Sequence, residues 1–488
     1  MISKKPIIGK YILDSLSIGM YNDPLMLIRE YIQNATDAID ECKKALKLQK
    51  YDAKIDINIQ GRSRNLTIYD NGSGIPAKHA WNILHDIGNS KKRINENRGF
   101  RGIGRLGGLG YCDYLVFKTK YKSENILTTS TWDCNKLRNI IRLENRYDTY
   151  DVLSSIIDFD QRIYTGDPEE HFFEVRMMNL TGSRDILLNV PLIKSYVSAV
   201  APVPFDKKRF SFADRIDSEI RSKIPNYETY KITINGEQIF KSYADKLIMR
   251  GDKKDHINGI EFVELKDNEQ TLAVGWIAKT QLTGTISPHS NVDGIRVRKD
   301  NILVGDKDLL AGFYRENRFN NYLAGEIYAV DEQLVPNSRR DDFEDNSRKD
   351  DFYESFIKNI GLPVSKKIRQ ISVERSKNRL ISRDLNVVRQ ARSISVEGYF
   401  ADAQKKTVLN ELTRLKNTAS YIDDGFDGLI LTINKSKHFL DSNGNSGKMK
   451  HRRLLKAIFE ALYKDYEDKE KAVRIIRNIW DLTRSTLI

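Results

Sequence analysis

Residues 23–38 read Asp23-Pro24-Leu25-Met26-Leu27-Ile28-Arg29-Glu30-Tyr31-Ile32-Gln33-Asn34-Ala35-Thr36-Asp37-Ala38. Asp23 is suited to cap a helix and Pro24 to occupy its first position, so the pair predicts a helix start. Apolar side chains then recur at helical spacing and define one face: Ile28, Tyr31, Ile32, Ala35, Ile39, Cys42 and Leu46. The pattern predicts an amphipathic helix that extends to Leu46.

Three polar residues form a line on the opposite side of this predicted helix. Glu30, Asn34 and Asp37 are spaced at i, i+4 and i+7, so they lie along one side. A solvated helix face is one interpretation of the line. The line contains no lysine, however, and carboxylate and amide oxygens are the ligands that Mg²⁺ takes in proteins. It is therefore a candidate magnesium site.

A glycine-containing turn follows the next predicted strand pair. Alternation at period two predicts a strand at 54–59, and residues 66–69 predict the returning strand. The second strand ends on Asp70-Asn71-Gly72-Ser73-Gly74-Ile75-Pro76. Asp70 can accept a hydrogen bond from the exocyclic amine of an adenine ring, and the two glycines let the backbone pass close to such a ring. An ordinary turn is the alternative interpretation.

Residues 88–110 contain seven glycines interleaved with six lysine or arginine residues. This glycine density argues against regular structure and favours backbone N–H groups that face phosphates. Gly102, Gly104 and Gly107 match the spacing of a dinucleotide fingerprint, but the polar run 95–98 stands where that fingerprint requires a strand. A Rossmann site is therefore excluded. A P-loop is excluded too, because Gly447-Lys448 is followed by methionine.

Composition narrows the class of protein. A chain of 488 residues predicts two or three domains. The three cysteines form no C-x-x-C pair, which argues against a disulfide framework or a zinc site and favours a reducing cytoplasm. The sequence contains no run of about 18 apolar residues, so no membrane span is predicted. The N-terminus lacks the apolar core of a signal peptide. The net charge of +13 favours polyanionic partners, either nucleotide phosphates or nucleic acid.

The three signatures, in this order, resemble the ATP-binding domain of the GHKL superfamily. That superfamily comprises gyrase-type topoisomerases, Hsp90, histidine kinases and MutL, together with the MORC ATPases. Ile18-Gly19-Met20-Tyr21 and Ile87-Gly88-Asn89-Ser90-Lys91-Lys92 are most similar to Hsp90 and MORC proteins, the second segment to the opening of their ATP lid. The resemblance implies an ATPase that requires ATP and Mg²⁺.

The resemblance also assigns roles to individual residues. It makes Glu30 the general base, Asn34 the magnesium ligand and Asp70 the adenine contact. Gly102, Gly104 and Gly107 become the phosphate-facing hinge of the lid. The full set of implied nucleotide contacts is Asn34, Asp37, Asp70, Gly72, Gly74, Ser90, Lys91, Gly102, Ile103, Gly104 and Gly107. The Gly-Thr pair that the family usually carries near the end of this domain has no clear counterpart, since Tyr164-Thr165-Gly166 and Thr181-Gly182 are only reversed candidates.

A second match lies further along the chain. Residues 295–299 and 334–341 resemble the Hsp90 middle domain, in which an arginine reaches back to the γ-phosphate. The resemblance implies that Arg340 has this catalytic role, with Arg339 as the alternative one residue away. A basic pair on the surface is the other interpretation. The last 110 or so residues match no family.

Three domains are expected. The predicted fold class is α/β, with an α+β sandwich GHKL (Bergerat) ATP-binding domain in residues 1–195. An S5-like α/β transducer domain of the Hsp90 middle type is predicted for 196–370, and a helical C-terminal region for 371–488. Asn-Gly at 235–236 predicts a hairpin over 231–239, and a second hairpin is predicted at 294–304.

The leading hypothesis for function is a cytoplasmic ATPase that closes as a homodimer on ATP and acts on a client protein or DNA, in the manner of Hsp90 chaperones and MORC proteins. By analogy alone, such a chain resembles ATPase components of bacterial anti-phage, or antiviral, defence systems. The alternative is a nucleic-acid clamp, because residues 366–392 hold nine lysine or arginine residues against three acidic ones, counting Glu397 just beyond. A solvated helix would explain the same charges. A histidine kinase is a weaker alternative, since only ten residues precede the match.

Overall fold

The computed structural model describes residues 23–46, 52–87, 104–143, 148–182, 185–399, 401–418 and 425–437, together with Ile458, Ile475 and Asn478. The chain forms two compact units, Met1–Ile368 and Arg369–Ile488. Four of the implied nucleotide contacts lie outside the described residues: Ser90, Lys91, Gly102 and Ile103. So does the segment 18–21.

The first helix is the amphipathic helix that the sequence predicts. Helix α1 spans Leu25–Leu46, and the Asp23 carboxylate accepts a hydrogen bond from the Leu25 amide at 2.9 Å. Its predicted apolar face is buried from Ile28 to Cys42, with no residue of that face more than 3% exposed. The prediction of this helix and its core face is confirmed.

An eight-stranded sheet carries the first core, in the strand order β5-β4-β3-β6-β2-β1-β7-β8. Its strands are β1 (Lys54–Gln60), β2 (Asn65–Asp70), β3 (Cys112–Lys120), β4 (Ile126–Asp133), β5 (Ile157–Ile163), β6 (Phe172–Leu180), β7 (Lys231–Ile234) and β8 (Glu237–Gln238). Its helices after α1 are α2 (Ala77–His85), α3 (Cys134–Arg142), α4 (Thr149–Ile156) and α5 (Val190–Val200), whereas α6 (Ala213–Lys223) packs in the core of the second sheet described below. Every strand pair is antiparallel except β1 with β7. A doubly wound parallel sheet is therefore excluded.

The parallel pair joins distant parts of the chain. Strand β7 pairs along β1 from Lys54↔Lys231 to Ile57↔Ile234. Ile232 and Ile234 belong to the same hydrophobic cluster as the buried face of α1. The domain boundaries remain a prediction, but the first sheet takes two strands from beyond residue 195.

A second sheet follows, in the strand order β11-β12-β15-β13-β14. The strands of this part are β9 (Lys246–Ile248), β10 (Lys254–His256), β11 (Gly259–Asp267), β12 (Gln270–Lys279), β13 (Gly294–Lys299), β14 (Ile302–Val304) and β15 (Ala324–Ala329). Strands β9 and β10 form a separate two-stranded sheet. The β7–β8 and β13–β14 pairs are the two hairpins that the sequence predicts, and Asn235 and Gly236 adopt positive φ angles of 51° and 81° at the first turn.

A buried group of charges ties α5 to the second sheet. Lys241 and Arg298 both pair with Glu326, at 2.6 and 2.7 Å, and all three side chains are no more than 1% exposed. Arg298 also donates to the carbonyl oxygens of Ala199, at 2.7 Å, and Ala201, at 3.4 Å, at the end of α5. We call Lys241, Arg298 and Glu326 the buried triad.

The second unit is helical in its described residues. Helix α7 (Ser347–Phe356) and a π-helical stretch (Ile357–Gly361) lead into α8 (Leu362–Glu397), which runs on into the second unit. Helices α9 (Asp402–Thr418) and α10 (Phe426–Lys435) follow, and Val388, Ala391, Ile394, Val408, Leu412, Leu415 and Ile433 form their buried cluster. Within the described parts of the chain, no helix is long and apolar enough to cross a membrane.

The glycine-rich segment departs from the prediction. Residues Gly104–Gly110 form a 3-10 helix, although their glycine density argued against regular structure. Contacts supply the reason. Gly108 donates its amide to the Tyr31 hydroxyl at 3.1 Å, and a Cβ on Gly108 would lie 2.7 Å from that oxygen. Glycine here permits the 3-10 helix to approach α1 closely.

Candidate functional site

The polar line of α1 is enclosed. Glu30 and Asn34 are half-buried, and Asp37 is only 3% exposed. The interpretation as a solvated helix face is therefore wrong for this line. The reason is that α1 packs against β2, α5 and the 3-10 helix, and that Arg340 lies beside Glu30, none of which sequence periodicity reveals. Burying carboxylate and amide groups is costly, so an enclosed polar line is a candidate for a functional site.

The Asp70 turn packs directly against α1. Asp70 is 3% exposed at the end of β2, and its Oδ1 accepts a hydrogen bond from the Gly72 amide at 2.9 Å. A Cβ on Gly72 would lie 2.7 Å from the Cβ of Ala38, and one on Gly74 would lie 2.1 Å from the Lys120 carbonyl oxygen. Gly74 also has a φ of +70°. These glycines thus permit a close approach, as predicted, but the atoms that approach them belong to Ala38 and Lys120 of the protein.

Two residues that the sequence did not indicate hold this turn in place. Strand β6 lies beside β2 with Phe173 opposite Asp70, which brings the Nδ1 atom of His171 to 2.7 Å from the Gly72 carbonyl oxygen. Thr119 Oγ1 accepts from the Ile75 amide at 2.9 Å and donates to a β6 carbonyl. Only the pairing of β2 with β6, about 100 residues away, brings His171 here. No local sequence signal could have found it.

Tyr31 links α1 to the 3-10 helix. Its hydroxyl donates to the Arg105 carbonyl oxygen at 3.0 Å and accepts from Gly108. The Arg105 side chain donates to the carbonyl oxygens of Leu84 and Asp86, and burial lowers the pKa of Arg105 to about 10. Of the implied phosphate contacts in this segment, Gly107 is buried, and Gly104, which precedes Arg105, is half-buried.

Arg340 follows the second sheet in the sequence and approaches the polar line of α1. Its Nε lies 3.9 Å from Oε1 of Glu30, and the residue is 7% exposed. Burial lowers the pKa of Arg340, while the charge of Glu30 opposes that change. A pair of surface bases is therefore the wrong interpretation for Arg340, whereas Arg339 is exposed.

The loop that carries Arg340 is closed and strained. Pro336 and Phe343 form an antiparallel bridge across it, and the Gly305 amide donates to the Arg340 carbonyl oxygen at 2.7 Å. Arg340 itself has a φ of +55°, a conformation that non-glycine residues adopt only at a cost of about 1–3 kcal/mol. Such strain is concentrated at functional sites, where surrounding contacts hold it.

Arg29 completes the charged group, although the sequence analysis gave it no role. It precedes Glu30 and is 3% exposed, with its Nη2 donating to the Arg339 carbonyl oxygen at 2.8 Å. Its Nε is buried and has no partner among the described residues. Tyr196 of α5 adjoins this group. Burial raises the pKa of Tyr196 to about 12, with Asp23 and Glu30 adding to the rise and Arg29 opposing it.

The side-chain oxygens of the polar line fit a magnesium ion that takes most of its ligands from water and phosphate. The half-buried Asn34 amide makes no hydrogen bond within the described part of the chain. The described residues contain no cluster of three or more His, Cys, Asp or Glu side chains that could hold a metal alone. Mg²⁺ usually takes one or two protein oxygens and completes its shell with water and phosphate. Asn34, with Glu30 and Asp37 in line, suits that arrangement.

Comparison with known proteins identifies the first part of the chain. Residues 24–160 match the family described as histidine kinase-, DNA gyrase B-, and HSP90-like ATPase. The chain is also 30% identical over 117 residues to the chaperone protein HtpG of Clostridium acetobutylicum. That match covers 22% of this chain and 19% of HtpG, so the chain spans about a fifth of the relative's length. Residues 24–160 therefore contain a GHKL-family ATPase domain of the histidine kinase-, gyrase B- and HSP90-like type.

Proposed function

We propose that this protein binds ATP at the side of α1 against which the Asp70 turn packs, and hydrolyses it with Mg²⁺. The observation that carries the proposal is the convergence of Glu30, Arg340 and the buried Asp70 turn on one side of α1. Members of the matched family are ATPases. The enclosed carboxylates supply what hydrolysis requires, since a shielded base and a fixed cation act more strongly away from bulk water.

The proposed chemistry uses each residue once. Asp70 accepts a hydrogen bond from the adenine amine and fixes the base. Glu30 accepts a proton from the attacking water while the water oxygen bonds to the γ-phosphorus. The bond from the γ-phosphorus to the bridging oxygen breaks, so that ADP leaves. Arg340 stabilises charge on the transferring phosphoryl group. Asn34 would hold the Mg²⁺, which when bound neutralises phosphate charge.

The proposed use of hydrolysis is an open and closed conformational cycle. Arg340 and Arg339 belong to the part of the chain proposed as an S5-like transducer, and both contact α1 through Glu30 and Arg29. Loss of the γ-phosphate would change the charge that this contact faces. We propose that two protomers close on ATP and act on a partner protein or DNA. The likeness to a chaperone supports a protein client, and an anti-phage role rests on analogy.

Two substitutions test the site. Asp70→Asn is expected to lose ATP binding, because its amide nitrogen would face the adenine amine. Glu30→Ala is expected to bind ATP within a few-fold of the wild type but to lose turnover by about 100-fold or more. Calorimetry would measure binding and phosphate release would measure turnover. Glu41→Ala, at an exposed carboxylate of the same helix, is the matched control and should change neither.

The same Glu30→Ala protein tests closure. With ATP it should accumulate as a compact dimer, visible by analytical ultracentrifugation. Normal turnover in Glu30→Ala would contradict the assignment of the base. A variant that stays monomeric with ATP, while the wild type hydrolyses at full rate, would contradict the dimer and leave the ATPase proposal standing.

A further inference from the structure

Helix α8 contains a segment with no packed side. Of the fifteen residues 369–383, none is buried and only Ile371, Arg375 and Ile381 are half-buried. Ile368 just before this segment and Val388 just after it are buried. A helix in a globular protein normally buries one stripe along its length. Four turns without such a stripe need another source of stability or a partner.

The charge of this part of α8 is strongly positive. Residues 369–392 contain seven basic side chains and two acidic ones, a net charge of +5 in 24 residues. The whole chain has a net charge of +13, so these 24 residues supply more than a third of it. The basic residues are Arg369, Arg375, Lys377, Arg379, Arg383, Arg389 and Arg392. A general solubility charge would be spread more evenly.

Three of the seven basic side chains are left without an ion pair in the part of the chain that the structure describes. Asp384 is buried and receives a hydrogen bond from Arg414 of α9 at 2.9 Å, so it is already paired with another helix. Lys377, Arg379 and Arg389 are exposed and form no ion pair within the described residues. Arg383 pairs with Glu411, in an exposed contact of small energetic value. Six of the seven basic side chains are exposed, and Lys377, Arg379 and Arg389 are the ones available to an anionic partner without breaking a contact among the described residues.

The arrangement of these charges favours a groove over a flat surface. At about 100° per residue, the basic side chains of residues 369–392 point in all directions around the helix. A flat anionic surface would engage only one side of such a helix. The major groove of B-form DNA is about 12 Å wide and receives a helix of about 10–12 Å between two phosphate backbones. A-form RNA has a deep and narrow major groove that excludes it.

A second copy of the chain explains the segment less well. Val373 and Leu380 are exposed and seven residues apart, as in one position of a coiled-coil heptad. The second apolar position of such a heptad would fall on Ser376 or Lys377. A seam with one apolar residue per heptad flanked by unpaired cations would repel an identical helix.

We propose that residues 369–392 bind double-stranded DNA through its phosphate backbone, without regard to base sequence. The site lies in the second unit, and binding is independent of ATP turnover. Its failure would therefore leave the proposed ATPase untouched. With about three to five phosphates neutralised, the logarithm of the association constant should fall with the logarithm of salt concentration with a slope of about −3 to −5.

The test uses the full-length protein, without nucleotide, and a fluorescent 30-base-pair DNA duplex in anisotropy titrations over a range of salt. The triple variant Lys377→Gln, Arg379→Gln, Arg389→Gln should bind about 10- to 100-fold more weakly near 0.15 M salt, with a slope shallower by about 2 to 3. The control Arg250→Gln, Lys253→Gln, Lys254→Gln removes the same charge from exposed residues at the β9–β10 turn. It should bind within about threefold of the wild type. Circular dichroism checks that both variants keep their helix content.

Several results would overturn the proposal. Equal weakening in both triple variants would mean diffuse attraction by net charge and no site on α8. Equal affinity for a duplex RNA of the same length would remove the groove argument. Unchanged DNA binding, together with loss of self-association in Val373→Ser, Leu380→Ser, would assign the helix to a second copy. A wild type with no measurable binding at low salt would also end it.

Discussion

Two groups of charge in the first unit differ in how completely they are satisfied. The buried triad of Lys241, Arg298 and Glu326 has pair distances of 2.6 and 2.7 Å and a full set of carbonyl acceptors around Arg298. The α1 group is looser, since Glu30 and Arg340 lie 3.9 Å apart and Nε of Arg29 lacks a partner. The triad joins α5 to the second sheet, and the α1 group joins α1 to the loop that carries Arg340.

The difference separates a structural role from a binding role. A buried charge network stabilises a unique arrangement only when every member is satisfied. The triad meets that condition, and its two cations hold the pKa of Glu326 down at about 2 although burial alone would raise it. The α1 group leaves a donor and an amide open, so a ligand could complete it. The unpartnered Nε of Arg29 among the described residues is therefore what favours a ligand at the α1 group.

Glu326→Gln is the largest expected effect and tests the structural half of the comparison. It leaves two buried cations without their carboxylate, so the free energy of unfolding should fall by about 3–5 kcal/mol. Urea denaturation followed by circular dichroism would measure it. Glu237→Gln removes the exposed partner of Lys194 and should cost less than about 1 kcal/mol. Equal losses in the two variants would erase the distinction between the groups.

Arg340→Ala tests the functional half. Turnover should fall by about 100-fold, or roughly 3 kcal/mol of transition-state stabilisation, while ATP affinity changes by only a few-fold. Single-turnover phosphate release and calorimetry separate the two quantities. Arg339→Ala is the matched control, because its side chain is exposed and only its carbonyl oxygen contacts Arg29. A full loss in Arg339→Ala alone would move the catalytic role to that residue.

His85 gives the smallest expected effect on stability. It separates the effect of burying a titratable group from the effect of pairing such a group with a charge. It packs against Trp81 and Trp132, and Nε2 lies 2.8 Å from the Ser130 hydroxyl. Burial lowers the pKa of His85 from 6.5 to about 4. Between these values the unfolded chain binds a proton that the folded chain does not, so stability is full above pH 6.5 and falls as the pH drops toward 4.

The loss should reach about 1–2 kcal/mol, less than the full shift implies, because solvent reaches part of the ring. Thermal unfolding at a series of pH values would measure it. His85→Phe keeps the aromatic contacts and should flatten the profile between pH 4 and 6.5. A profile that is equally steep in the variant would assign the titration to another group.

The sequence predicts the local elements well and the distant contacts poorly. The apolar face of α1 and both hairpins follow from periodicity and turn residues. The strands predicted at 54–59 and 66–69 are observed at Lys54–Gln60 and Asn65–Asp70. Contacts such as His171 with Gly72 depend on pairing between segments far apart, which no single local pattern encodes. The glycine density at 104–110 argued wrongly against regular structure, because the contact with Tyr31 supports a 3-10 helix there.

The candidate site shows the same division. Glu30, Asn34, Asp37 and Asp70 were singled out because their spacing carries a family pattern. The structure buries all four wholly or partly on α1 and β2, and their roles stay a prediction. Arg29 was missed because its position beside Glu30 resembles any charged pair on a helix. Its importance comes from the Arg339 carbonyl oxygen, 310 residues away.

The parallel pairing of β1 with β7 has a consequence for synthesis on the ribosome. The 170 residues 61–230 separate the two strands, and at about 5–20 residues per second they take roughly 10–30 s to be made. During that interval β1 exposes the backbone groups that β7 will occupy, next to a cluster of isoleucines. Such an edge is a template for pairing with other chains. The first sheet must therefore wait, vulnerable to aggregation, for a strand encoded about 170 residues downstream of β1.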